Sequence, residues 1–130
     1  MNEVYEFLKQ ANTYFLATND QGQPRNRPFG TIDLYQDKLY IQTGLSKDCA
    51  KQMLADPRIE ICAMVNDRWI RIQAKACLDD NIEAQKHMLE QYPSLQAMYQ
   101  PGDGNTAVFY LQDVTASICS FTEAPKVITF

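Results

Sequence analysis

The 130 residues, 45% of them hydrophobic, supply one domain-sized core and not enough for two. A net charge of −4 and an isoelectric point near 4.9 argue against a nucleic-acid partner, since phosphate backbones select a basic face. No apolar run approaches the roughly 20 residues of a membrane span, and Met1-Asn2-Glu3-Val4-Tyr5 lacks the basic and apolar regions of a signal peptide, so the expectation is a soluble cytoplasmic protein.

Val4, Phe7, Leu8 and Ala11 recur at helical spacing and predict an amphipathic helix over residues 2–11. Residues 14–18 read as a strand, 19–22 as a tight turn and 23–34 as its hairpin partner. Pro24 and Pro28 remove backbone donors, which suits an edge or irregular strand. A turn near Gln36-Asp37 leads to a third strand over 38–43, completing an expected meander. Cys49, Ala50, Met53 and Leu54 predict a short helix over 46–55 that stops ahead of Asp56-Pro57.

Residues 59–65 predict a buried strand and 68–78 a long one with clean alternation. Ile70, Ile72, Ala74 and Ala76 face one way there, while Trp69, Arg71, Gln73 and Lys75 face the other, where a Trp beside an Arg suits a ligand or a second subunit. Asp79-Asp80-Asn81 can cap a helix through about residue 91 with a weak stripe of Ile82, Ala84, Met88 and Leu89, interrupted by Gln85. A further helical turn after Pro93, a loop at 101–105, one or two strands over 106–121 and a last one over 126–130 complete the chain. Six or seven strands with helices at the crossings predict a mainly β fold, a small antiparallel barrel forming a single domain over 1–130.

The local chemistry concentrates in Arg25-Asn26-Arg27-Pro28-Phe29-Gly30 and Thr43-Gly44-Leu45-Ser46-Lys47. On an extended strand Arg25, Arg27, Phe29 and Thr31 share a face, so two guanidiniums project together beside an aromatic ring. Arginine offers a planar fork to phosphate, Ser46 reads as the N-cap of the short helix, and Lys47 adds a cation at that helix start, where free N–H groups favour an anion. Two solvated arginines on an exposed face are the plainer explanation of the pair alone; the added Thr43, Ser46 and Lys47 favour phosphate.

Cys49, Cys62, Cys77 and Cys119 form no CxxC pair and sit in apolar settings, which predicts reduced, buried thiols and no metal site. His87, the one histidine, has no acid or nucleophile near it in sequence and reads as structural. GxSxG, P-loop and GxGxxG patterns are missing, which disfavours hydrolytic and Rossmann-type chemistry. A redox cofactor carried in by its own phosphate needs none of these groups, because the cofactor brings the chemistry.

The ordered set Tyr14-Phe15-Leu16-Ala17-Thr18, Gly22, Arg25-Asn26-Arg27-Pro28-Phe29, Leu39-Tyr40-Ile41-Gln42-Thr43, Ser46-Lys47, Asp56-Pro57-Arg58-Ile59-Glu60 and Trp69-Ile70-Arg71-Ile72 resembles the pyridoxamine 5'-phosphate oxidase-like family of FMN-binding split barrels over most of the chain. The resemblance implies a split β-barrel homodimer with FMN at the subunit interface, acting on a small-molecule substrate. It places Arg27, Thr43, Ser46 and Lys47 at the flavin phosphate and Pro28-Phe29 beside the isoalloxazine ring, while Arg25 joins the candidate cofactor-binding set through the strand face it shares with Arg27. Trp69 and Arg71 would reach the flavin from the partner chain. It also implies an oxidoreductase passing a hydride from a reduced nucleotide to a small acceptor. The chain ends at Phe130 without an evident counterpart of the C-terminal substrate segment of true pyridoxamine phosphate oxidases, which counts against vitamin B6 oxidation. A non-catalytic module that binds or senses a flavin or another phosphorylated ligand stays open, since a flavin site without acid–base residues looks the same in both, and the family's breadth leaves a deazaflavin open. With a single histidine, haem is the weaker option. A barrel stacking single-stranded nucleic acid on Phe29 and Trp69 is disfavoured by the acidic charge.

Overall fold

Two hairpins set the ends of the sheet. In the computed structural model, which describes residues 1–130, β1 (Tyr14–Asp20) turns at Gln21-Gly22 into β2 (Gln23–Phe29), and β3 (Asp33–Tyr35) turns at Gln36-Asp37 into β4 (Lys38–Gly44). Both turns hold positive φ at both central residues, 53° and 94° in the first and 49° and 59° in the second, a backbone twist that matches antiparallel strands.

Four more strands follow: β5 (Arg58–Val65), β6 (Arg68–Asp79), β7 (Thr106–Ser120) and β8 (Lys126–Thr129). The sheet order is β2-β1-β5-β6-β7-β4-β3, with β8 added beside β7, making eight strands where the sequence predicted six or seven. The expected meander does not form. Residues 23–34 break at Gly30–Ile32, and β2 and β3 lie at opposite edges of the sheet. Pro24 and Pro28 suit the edge place of β2, because a strand short of donors pairs on one side only. The chain from Phe29 to Asp33 reaches at most about 14 Å, so the two edges are near neighbours. The sheet must therefore roll into an antiparallel barrel with a seam between β2 and β3, the split β-barrel expected.

Alternation fills the barrel. Ile59, Ile61, Ala63 and Val65 of β5 and Ile70, Ile72, Ala74 and Ala76 of β6 are buried, as are Tyr14 and Leu16 of β1 and Phe109 of β7. Two helices close the barrel: α1 (Asn2–Ala11) contributes Val4, Phe7 and Leu8, and α2 (Asp48–Ala55) contributes Cys49, Ala50 and Met53 to the same core. The third, α3 (Ile82–Gln91), lies outside on β4 and β7, where Ala84 and Met88 pack on Tyr40 and Val108. Its cap is as expected: the Asn81 side chain accepts the Glu83 N–H at 3.0 Å. Its stripe is not. Ile82 is exposed, while Gln85 is buried and accepts the Gly102 N–H at 2.8 Å. A 3-10 turn, Pro93–Ala97, follows.

The thiols also differ from expectation. Cys49 is buried, but Cys62 is exposed and Cys77 and Cys119 are half-buried, all four free. Cys62 lies between inward-facing Ile61 and Ala63, so strand alternation turns it outward whatever its apolar neighbours in sequence. No helix is long and apolar enough to cross a membrane.

Candidate functional site at the barrel seam

Beside the seam, the chain leaving β2 and the end of β4 border a cleft of about 180 Å³. One wall is the chain leaving β2, Pro28-Phe29-Gly30-Thr31, and the floor is Gln42 and Thr43 of β4. Lys47, ahead of α2, stands at one end, and Leu95, Met98 and Tyr99 from the segment after α3 form the far wall. The Tyr14 hydroxyl donates to the Thr31 carbonyl at 2.5 Å, and the Thr31 hydroxyl accepts the Gln42 N–H at 3.0 Å, so the first wall is tied to β1 and β4. Gly44 permits the far wall to approach: a Cβ there would meet the Tyr99 ring at 3.1 Å and the Asn105 amide at 3.0 Å.

The nine residues singled out from sequence separate into three groups. Pro28, Phe29, Thr43 and Lys47 line the cleft. Arg27 does not line it and is engaged elsewhere: one nitrogen donates to the Thr18 hydroxyl at 2.8 Å and the Leu16 carbonyl at 3.2 Å, and the other donates to Gln52 Oε1 at 2.8 Å. It ties β2 to β1 and to the middle of α2. Burial pushes the Cys49 thiol up, and the charges of Arg27 and Lys47 pull against that shift. Arg25 reaches back along its own hairpin to Asp20 at 3.2 Å, a half-exposed pair.

Ser46 is not the helix N-cap. That position falls to Lys47 in extended backbone with no capping side chain, while the Ser46 N–H donates to Asn105 Oδ1 at 3.0 Å. The loop at 101–105 thus fixes the approach to Lys47. Asp103 organises that loop by accepting from the N–H groups of Thr106, Asn105 and Gln100 at 2.6, 2.8 and 3.0 Å, which hold its carboxyl far below the usual carboxylate range.

Trp69 and Arg71 lie on the outward face of β6, as alternation predicted, and neither lines the seam cleft of its own chain. The Trp69 ring is 5.0 Å from that of Phe121, and Arg71 pairs with Glu60 at 3.1 Å. Phe15, Met64 and Phe121 are all exposed, and Met64 stands opposite Trp69 in the β5–β6 register. This sheet therefore presents aromatic and sulfur-bearing side chains outward.

Gln42 is the residue that sequence reasoning missed. Its side chain is 5% exposed, and neither Oε1 nor Nε2 has a hydrogen-bond partner. No other buried side-chain polar group is left so. A polar residue following the apolar run Leu39-Tyr40-Ile41 within one strand was the only available signal. His87 also gained a role invisible in sequence: its Nδ1 lies 2.6 Å from Asp33 Oδ2. No three His, Cys, Asp or Glu side chains converge on a metal-sized site.

The cleft lining supplies one lysine, the hydroxyls of Thr31, Thr43 and Tyr99, the rings of Phe29 and Tyr99 and an unpaired amide, and no carboxylate or imidazole. It can bind an anionic, ring-bearing ligand. A family model described as pyridoxamine 5'-phosphate oxidase matches residues 1–116. Among solved structures, a NimC/NimA family protein from Clostridium acetobutylicum is 40% identical, with a TM-score of 0.96 over 100% of this chain and 92% of that one. General Stress Protein 26 from Bacillus anthracis superposes with a TM-score of 0.76 at 14% identity over 98% and 97% of the two chains. HutZ, a heme storage protein from Vibrio cholerae, does so at 0.65 and 18% identity over 85% and 87%. The last two likenesses speak for the fold alone. No curated protein matches the chain.

Proposed function

This chain belongs to the pyridoxamine 5'-phosphate oxidase family, and on that premise we propose that it is an FMN-dependent oxidoreductase working as a homodimer, with a flavin in each seam cleft. The observation that carries the reading is the composition of the cleft: Lys47 and Thr43 at one end, the Pro28–Thr31 backbone along one side, and an unpaired amide on the floor. The lysine would neutralise the flavin phosphate and the Thr43 hydroxyl would donate to it. Pro28 and Phe29 would lie against the ring. Arg27 would act from behind by holding α2 through Gln52, and Ser46 by fixing the turn ahead of Lys47.

The flavin, when bound, supplies the chemistry of hydride transfer from a reduced nucleotide to a small acceptor such as a quinone or a nitro compound. The chain's own contribution is binding, orientation and exclusion of water. The lining has no nucleophile positioned beside a base, so no covalent intermediate on the protein is expected.

Size supports a second copy. About 180 Å³ is less than the roughly 300 Å³ at which pockets begin to enclose drug-sized ligands, so one chain would hold the flavin along one side and leave the rest uncovered. The outward face bearing Phe15, Met64, Trp69 and Phe121 is a surface that gains by being covered. Trp69 and Arg71, which miss the cleft of their own chain, would complete the partner's.

Haem fits less well. The only histidine is bound through Nδ1 to Asp33 and is not part of the cleft lining.

The test is the visible spectrum of freshly purified protein, identification of the chromophore released by heat, and steady-state assays with NADH or NADPH and a quinone. Released FMN with turnover supports the enzyme. Bound FMN that stays oxidised with both nucleotides converts the reading to a flavin-binding module, and failure to take up FMN overturns it.

A further inference from the structure

Gln42 carries the one buried amide in this protein without a partner, and it lies on the floor of the cleft. Both its carbonyl oxygen and its NH₂ are unsatisfied, so two desolvated groups go uncompensated, each a burden on stability of the kind natural cores avoid. The backbone around it is well ordered by comparison: its N–H donates to the Thr31 hydroxyl, and the strand pairs in register with Val108. A leucine or methionine would fill the same space with no unpaired atoms. Phe29, Thr31, Thr43 and Lys47 line the same cleft as Gln42.

Resting on the flavin reading above, we propose that the side-chain amide of Gln42 reads the ring end of the ligand. Its C=O accepts from, and its NH₂ donates to, the adjacent donor and acceptor of an imide edge such as that of the flavin pyrimidine ring. An amide is suited to this because it offers one donor and one acceptor side by side, the complement of an N–H next to a C=O. Lys47 and Thr43 select for phosphate; Gln42 selects among phosphorylated ligands for those with such an edge. The two amide atoms are shielded from water, so the ring reaches them by displacing part of the wall. Met98, 69% exposed and unbranched, is the wall residue with the freedom to move aside.

The same residue should then act with opposite sign on stability and on binding. Replacing an unsatisfied buried amide by an apolar group of similar shape relieves the apo protein, while removing the pairing weakens the ligand. Gln42→Leu and Gln42→Glu are compared with the parent for FMN affinity by flavin fluorescence and for apo-protein melting temperature. A parallel titration uses pyridoxal 5'-phosphate, a probe with the phosphate and without the imide edge. The expected result is roughly a ten- to hundredfold loss of FMN affinity in both variants, a higher apo melting temperature in Gln42→Leu, and pyridoxal phosphate affinity equal in all three proteins. Unchanged FMN affinity in Gln42→Leu overturns the assignment and leaves the flavin reading standing. Equal losses for both probes also overturn it, since the amide then shapes the cleft without reading the ring. Failure of the parent to bind FMN overturns the flavin reading and this assignment with it.

Discussion

Asp33 Oδ2 and His87 Nδ1 lie 2.6 Å apart, joining β3 to α3 across 54 positions of sequence. The Asp33 side chain is 2% exposed and that of His87 33%, and the imidazole stacks on Tyr35 with centroids 4.6 Å apart. The pair holds the helix that leads into the far wall of the cleft. A carboxylate so buried needs a hydrogen-bond partner, and the imidazole supplies it.

His87→Ala should therefore destabilise the protein by about 2 kcal/mol, below the range for a fully buried pair because the histidine is partly solvated. Asp33→Asn, which keeps an acceptor for the ring N–H, should cost less. Urea unfolding followed by circular dichroism checks both, and equal stability of His87→Ala and parent would show the pair to be idle.

Arg27 and Lys47 should separate in their effects. Arg27→Ala strips the cation from Thr18 and Gln52 and should cost about 1.5–3 kcal/mol of stability with no flavin present. Lys47→Ala breaks no hydrogen bond of the fold's own and should leave the apo protein as stable as the parent, while weakening FMN by about 1.5–3 kcal/mol. Thermal melts of the apo proteins beside flavin titrations separate the two roles.

Asp103 should make the far wall of the cleft acid-sensitive. Its carboxyl titrates far below its unfolded value near 3.9, because three backbone N–H groups favour the charged form. A lowered folded pKa contributes stability that is complete above the unfolded value and is lost as pH falls through the folded one. Asp103→Asn should thus be less stable than the parent at pH 7 and should lose less of its stability between pH 7 and pH 3. Urea melts at the two pH values measure the difference.

Met64, 60% exposed and opposite Trp69, should lie inside the proposed subunit interface. Met64→Glu would bury an unpaired charge there and should shift a dimer to monomer in sedimentation equilibrium at micromolar concentration, with weaker flavin retention. A variant that sediments like the parent would move the interface elsewhere.

Much of the secondary structure was legible, because it rests on periodicity within short windows. Strand alternation in Arg68–Asp79 placed Ile70 and Ile72 inside and Trp69 and Arg71 outside, and the helical spacing of Val4, Phe7 and Leu8 placed α1. The same local rule, overridden by an apolar neighbourhood, would have turned Cys62 outward. The pairing of strands was not legible. Residues 23–34 carry no local sign that Phe29 and Asp33 belong to opposite edges of one sheet, since that depends on where β7 and β4 meet.

At the site, the sequence by itself determined which chemistry was available: a basic and hydroxyl-bearing cluster against an acidic background, one histidine, and a succession of motifs that marks the family. Only the tertiary structure decided how those groups are used. It brought Thr43 and Lys47 to the seam, turned Arg25 and Arg27 to Asp20, Thr18 and Gln52, gave His87 its carboxylate, and left Gln42 without a partner. The reason is physical. Side-chain direction along a strand follows from an alternation that any short segment contains, whereas a hydrogen bond is made or missed by groups that only the closed barrel brings within 3 Å of each other.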